Sequence, residues 1–150
     1  MSAAAQDLPA GLSELVDDFT SVEPSVRLQL LLELSDELPQ LPQRYAERAE
    51  DMEQVHECQT PLFLAVEVDS SADHVVHLFF DAPPEAPTTR GFAGILQTGL
   101  DGLPAAEVLA VPDDAPFRFG LGEAVSPLRL RGMVAMLGRI KRQVREKSGV

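Results

Sequence analysis

The sequence predicts an α+β fold: an antiparallel sheet of about three strands with helices packed on one face. Two observations carry this. The β-rich runs L-F-L-A-V-E-V-D (62–69) and H-V-V-H-L-F-F-D (74–81) are separated only by S-S-A-D, which signals a hairpin. Helical periodicities lie before and after the pair, without the alternating βα units of a parallel sheet. At 150 residues the chain is expected to form one domain over 1–150, large enough to bury a core without disulfides or metals.

The elements follow in order. Residues 1–10 are small and polar and are expected to be disordered. G-L-S-E-L-V-D-D-F reads as a short helix, with Leu12, Leu15, Val16 and Phe19 at helical spacing and Ser13 as its cap. The next helix begins at Pro24, suited to a first turn, and stops before Pro39. Its apolar positions are so dense that most of its circumference should be covered, which makes both helices structural. Residues 39–57 carry no clean period and read as an extended crossing segment leading to Cys58. After the hairpin, A-P-P-E-A-P-T-T is a loop or strand edge, because proline cannot donate to a ladder.

Thr88 or Thr89 is then expected to cap a helix through R-G-F-A-G-I-L-Q-T-G-L, with Phe92, Ile95, Leu96 and Gly99 on one side. L-P-A-A-E-V-L-A is a short helical piece, and Gly120 and Gly122 permit turns in the stretch that follows. The last helix takes Ser126 as N-cap and Pro127 at its first position. Leu130, Met133, Val134, Leu137, Ile140 and Val144 make its apolar stripe.

Composition narrows the function classes. A single cysteine excludes an intramolecular disulfide and fits a reducing, cytoplasmic compartment. No apolar run reaches the length of a membrane span, and the first residues lack the pattern of a signal peptide. The net charge of −12 is unevenly spread. From Arg129 onward there are seven basic residues against one acid, while the preceding chain has five basic and 23 acidic. An acidic body repels nucleic-acid backbones and steers a positively charged protein partner.

Cys58 is the residue with chemistry to offer, and three self-contained uses fail. Zinc sites need about four ligands, and one Cys with three His supplies them poorly; His74 and His77, three apart on a strand, leave opposite faces. An iron–sulfur cluster needs several thiolates. A hydrolytic nucleophile needs a base held by an orienting group, and His56 has no such partner in sequence. Glu53 and Glu57 disfavour the thiolate, so activation must come from a distant cation or another protein. Arg129 and Arg90, each in the first turn of a helix, are the candidate cations. The competing reading makes Cys58 an inert core thiol of a binding or regulatory module.

Four segments occur in a definite order: L-x₃-L-P-x-L-P (Leu34 to Pro42), V-x-E-C-Q-T-P-L-F (Val55 to Phe63), R-G-F-A-G-I-L (Arg90 to Leu96) and S-P-L-R-L-R-G-M (Ser126 to Met133). Together, over residues 13 to 146, they resemble the SufE family of sulfur-acceptor proteins of iron–sulfur cluster biogenesis. The resemblance implies a fold shared with IscU-type scaffolds, and a carrier that is not itself an enzyme and holds no cofactor or metal. It implies as partners a PLP-dependent cysteine desulfurase of the SufS type and a downstream iron–sulfur scaffold or other sulfur acceptor. It implies that Cys58 accepts sulfane sulfur as a persulfide and that Arg129 lies near the cysteine loop. Glu57, His56, Gln59 and Arg90 are the supporting residues this predicts around the thiol. In the family the residue before the cysteine is commonly glycine, and here it is Glu57.

Overall fold

The computed structural model describes residues 7–149, so the N-terminal expectation for residues 1–6 lies outside the described residues. Asp7 pairs with Arg118 and Leu8 packs on the core, so order begins before residue 10. Helix α1 (Ala10–Thr20) starts after Pro9. Ser13 therefore lies inside its first turn and donates its N–H to the Pro9 carbonyl instead of capping. Helix α2 (Pro24–Glu37) stops one residue before Leu38-Pro39, as the proline requires.

Residues 39–57 are not extended throughout. They form the one-turn helix α3 (Gln43–Ala46), a 3₁₀ turn at Ala49–Asp51 and the two-residue strand β1 (Glu53–Gln54). The cause is tertiary. Tyr45 stacks on Phe79 with ring centroids 5.0 Å apart and donates its hydroxyl to Glu67 at 2.8 Å.

Strands β2 (Phe63–Val68) and β3 (Val76–Asp81) form the expected hairpin, in register from Phe63 opposite Asp81 to Val68 opposite Val76. The sheet is antiparallel in the order β1-β2-β3, so its third strand precedes the hairpin. Alternation along the strands sends Leu64, Val66, Val76, Leu78 and Phe80 into the main core. Phe63, Ala65 and Phe79 face the other way, under Tyr45, Met52 and Leu41. The long helices take the first face and the α3 segment covers the second.

Helix α4 (Pro87–Leu100) begins on a proline, with Ala86 at the N-cap. Thr88 and Thr89 are thus inside the first turn and their hydroxyls are left for other partners. Helix α5 (Ala105–Leu109) and two 3₁₀ turns, Ala115–Phe119 and Leu121–Glu123, lead to α6 (Pro127–Ser148). Gly120, at φ 66, joins the two turns. The Ser126 hydroxyl accepts the Arg129 N–H at 3.3 Å, the predicted cap. The α6 stripe is buried as expected except for Val134, which is half-buried, and it also takes in Gly132, Met136, Lys141 and Gln143.

Helix α2 departs from expectation. It buries Leu31, Leu34 and Ser35 but leaves Leu28 and Leu32 each 38% exposed, because it packs on α4 and α1 along one side only. That contact is close. A Cβ placed on Gly94 would stand 2.7 Å from the Leu34 carbonyl oxygen, and one on Gly91 2.6 Å from that of Leu31. Alanine is the better helix former by about 1 kcal/mol. The collision with backbone outweighs it, at about 1–3 kcal/mol for an overpacked contact. Gly94→Ala is therefore expected to destabilise the fold by about 1–2 kcal/mol in urea denaturation, with an unchanged slope.

Candidate functional site

Cys58 lies in the loop between β1 and β2. Its base is closed by the Val55 N–H donating to the Leu62 carbonyl at 2.9 Å, and the Cys58 N–H turns back to the Val55 carbonyl at 3.2 Å. Glu57 fits this loop without a left-handed backbone: among the described non-glycine residues only His74 has positive φ. The half-buried thiol rests on α6. A Cβ at Gly132 would be 2.9 Å from Cys58 Sγ and 3.5 Å from its Cα. Helix and thiol loop touch where no side chain intervenes.

On its other side the thiol borders an open cleft of about 290 Å³, lined in part by Gln59, Thr60, Thr88, Thr89 and Arg129. Two helix N-termini supply this wall. Thr88 and Thr89 come from the first turn of α4, and Arg129 from the first turn of α6. The exposed Arg129 guanidinium donates to the Thr88 hydroxyl at 3.4 Å, and the Thr60 and Thr89 hydroxyls are 3.1 Å apart. Both helix dipoles point positive potential into the cleft, together with the arginine charge. Glu85 lines the same cleft and opposes that potential, so the part that suits an anion is the wall formed by Arg129 and the threonines.

The resting thiol is nevertheless hard to ionise. Burial, and then the Glu57 carboxylate, push Cys58 from 9.0 up to about 11, against a smaller opposing pull from Arg139. Sequence proximity gave Glu53 and Glu57 the same role; the structure separates them. Burial acts to raise Glu53, but hydrogen bonds from Gln143 and Arg142 and the charges of Arg142 and Arg139 outweigh it and hold the carboxyl low. Its charge is committed to α6. Glu57 is likewise held below the ordinary carboxylate range, chiefly by its hydrogen bond from Arg139, with Nη2 to Oε1 2.9 Å apart.

The other sequence candidates divide. Gln59 is exposed at the cleft, and His56 is exposed beside Glu57. Arg90 does not line the cleft; it donates to the carbonyls of Ala82 at 2.9 Å and Ser35 at 3.3 Å, tying the hairpin exit to α2. The thiol packs against the main core and Gly132, whereas Phe63 belongs to the opposite face of the sheet. Sequence reasoning missed Gly132, Arg139 and the three threonines. A glycine interrupting an otherwise well-formed helical stripe was the available signal for Gly132, since it costs about 1 kcal/mol unless something must come close.

His74 lies in the hairpin loop, and His77 Nε2 faces Asp69 Oδ2 at 3.5 Å. Among the described residues no group of three or more His, Cys, Asp or Glu side chains is placed to hold a metal ion. Nor is any helix among them long and apolar enough to cross a membrane.

Comparison with known proteins gives a concordant result. Residues 13–144 match the SufE family, described as an Fe-S metabolism associated domain. The chain is 57% identical over 143 residues to an uncharacterized SufE-like protein of Mycobacterium tuberculosis, covering 95% of this chain and 97% of that one. It is 29% identical over 133 residues to SufE-like protein 1, chloroplastic/mitochondrial, of Arabidopsis thaliana, covering 88% of this chain but 34% of the plant protein. The solution structure of a hypothetical protein from Thermus thermophilus superposes with a TM-score of 0.81 at 38% identity, covering 95% and 99% of the two chains. The three-stranded antiparallel sheet with its helices, the ordered motifs and the matched span together make this chain a member of the SufE family, associated with iron–sulfur metabolism.

Proposed function

We propose that the protein accepts sulfane sulfur on Cys58 from a PLP-dependent cysteine desulfurase of the SufS type, stimulates that enzyme by relieving it of sulfur, and delivers the sulfur to an iron–sulfur scaffold or another acceptor. The observation that carries this reading is the two-sided setting of Cys58. One side is a buried seat on Gly132 beside the Glu57 carboxylate, which together keep the thiol protonated; the other is a cleft whose Arg129 wall and two helix N-termini favour an anion, with Glu85 across from them.

In the transfer, the Cys58 thiolate attacks the outer sulfur of the desulfurase's cysteine persulfide. A bond forms between Cys58 Sγ and that sulfur, the donor S–S bond breaks, and its electron pair leaves on the donor cysteine, which takes up a proton. The oxidation level is conserved: thiol plus persulfide gives persulfide plus thiol. Arg129 is placed to accompany the charge as Sγ turns toward the cleft. Thiolate supply limits such exchanges. A pKa near 11 in place of 9.0 cuts the thiolate at neutral pH about a hundredfold, and higher intrinsic nucleophilicity recovers about tenfold of that. The carrier alone is therefore slow with small electrophiles and oxidants, and it needs the partner to release its thiol. That need favours a protein partner over self-contained chemistry.

The rival reading, a binding module in which Cys58 is inert filler, draws support from the packing of Sγ on Gly132. Incubation with a PLP cysteine desulfurase and cysteine discriminates between them. Intact mass is expected to show a gain of one sulfur atom that maps to Cys58 and is absent in Cys58→Ser; an unmodified Cys58 under turnover supports the inert thiol. Arg129→Gln is expected to slow sulfur uptake by about tenfold, the loss of one charge-assisted contact, with no change in melting temperature. The pH profile of Cys58 alkylation by iodoacetamide is expected to rise with a midpoint near pH 11. Glu57→Gln removes the adjacent carboxylate and is expected to move that midpoint down.

A further inference from the structure

Glu57, in the position where the family commonly has glycine, is tied to the body of the protein. The segment that carries Cys58 has one side-chain anchor on each side. Downstream, the Thr60 and Thr89 hydroxyls meet at 3.1 Å. Upstream, Glu57 Oε1 meets Arg139 Nη2 at 2.9 Å, and Arg139 Nε meets Glu53 Oε2 at 3.2 Å. Arg139 is fixed on α6, only 19% exposed, and so bridges one carboxylate on β1 and one in the loop.

The two carboxylates are held unequally. Glu53 also takes Arg142 and a hydrogen bond from Gln143 at 2.8 Å, so β1 stays pinned to α6 whatever Glu57 does. Glu57 is 48% exposed and has Arg139 as its one ion-pair partner among the described residues. Because Glu57 directly precedes Cys58, the loop backbone, whose Cys58 Cα also lies close to Gly132, cannot swing off α6 without straining that contact. The arrangement has a fixed half and a releasable half.

We propose that Arg139 is a positioning residue for the thiol, acting through Glu57: their ion pair latches the Cys58 loop against Gly132, and opening the pair releases the thiol. Glu57 is the more accessible member, so a basic side chain of the docking partner competes for it. The chain's net charge of −12 attracts such a partner at long range. Capture of Glu57 frees the loop and also neutralises the carboxylate next to the thiol.

The inference rests on Cys58 being the reacting atom, yet it is tested on the protein alone. Hydrogen exchange of the Cys58 amide, which bonds the Val55 carbonyl, reports loop opening independently of thiol ionisation; alkylation at pH 8 reports thiol access. In Glu57→Gln both are expected to rise roughly three- to fivefold, the range for a half-exposed ion pair. Added salt is expected to accelerate both in the wild type and neither in the variant. Arg139→Gln is expected to match Glu57→Gln in amide exchange but to gain less in alkylation, because it removes the cation that opposes the rise in the thiol pKa, and Arg139→Lys to stay near wild type. An unchanged melting temperature for Glu57→Gln separates loop opening from loss of fold. Wild-type amide exchange in Glu57→Gln would overturn the latch, as would faster alkylation without faster exchange. Loss of sulfur transfer from the desulfurase, with the exchange results intact, would overturn the sulfur-acceptor reading alone.

Discussion

The contact between the Cys58 loop and Gly132 is the constraint around which the rest is arranged. It requires a helix whose backbone is bare at one turn, and a loop brought against that turn with sub-ångström tolerance. Helix α6 meets both needs along one face. Gly132 receives the thiol, Met136 enters the core, Arg139 and Arg142 hold Glu53, and Gln143 hydrogen-bonds both Glu53 and the Val66 N–H. Lys147 continues the row by donating to the Val66 carbonyl. Strand β1 spans only two residues, so β2 lacks a strand neighbour on its β1 side at Val66, and α6 side chains satisfy those backbone groups. The same helix completes the sheet edge and seats the thiol.

This sharing explains why the site combines a protonated thiol with a cleft suited to anions. The thiol lies at a boundary. Toward α6 it finds apolar packing and the Glu57 carboxylate; toward the α4 and α6 N-termini it finds an open cleft with Arg129, hydroxyl groups and Glu85. A few ångströms of movement exchange one environment for the other. The chemistry is thereby controlled by position more than by any single neighbour.

What could be read from the chain was local. The hairpin, the α6 stripe and the Ser126 cap depend on period and on a side chain three residues away, and they stand where expected. Pro87 displaced the cap assigned to Thr88 or Thr89, a competition between two valid start signals that put both hydroxyls into the cleft wall. The α3 turn has no period of its own and exists because Tyr45 reaches Phe79 and Glu67 across the sheet. Cys58 was singled out by its rarity, but its environment was misweighted. Glu53 and Glu57 are close in sequence and both pair with α6, and only the fold shows that Glu57 alone still acts on the thiol. Arg139 could not be found by proximity, since it lies far along the chain from Glu57 and joins it only in three dimensions.

The bareness of Gly132 also bears on the persulfide that the proposed function puts on Cys58. The seat is so close that even a methyl group at position 132 would press on Sγ. A persulfide adds a second sulfur about 2.05 Å beyond the first. That atom is about as large as the methyl the seat already refuses, while the cleft on the Arg129 side offers about 290 Å³. The resting geometry therefore suits the empty form better than the full one. Under the proposed function, cargo and conformation are thermodynamically linked: whatever favours the outward position favours holding sulfur, and surrender of the sulfur lets the loop settle back. A carrier working in this proposed way would report its own loading state through its shape, so an acceptor could tell a charged carrier from a spent one before any bond is exchanged.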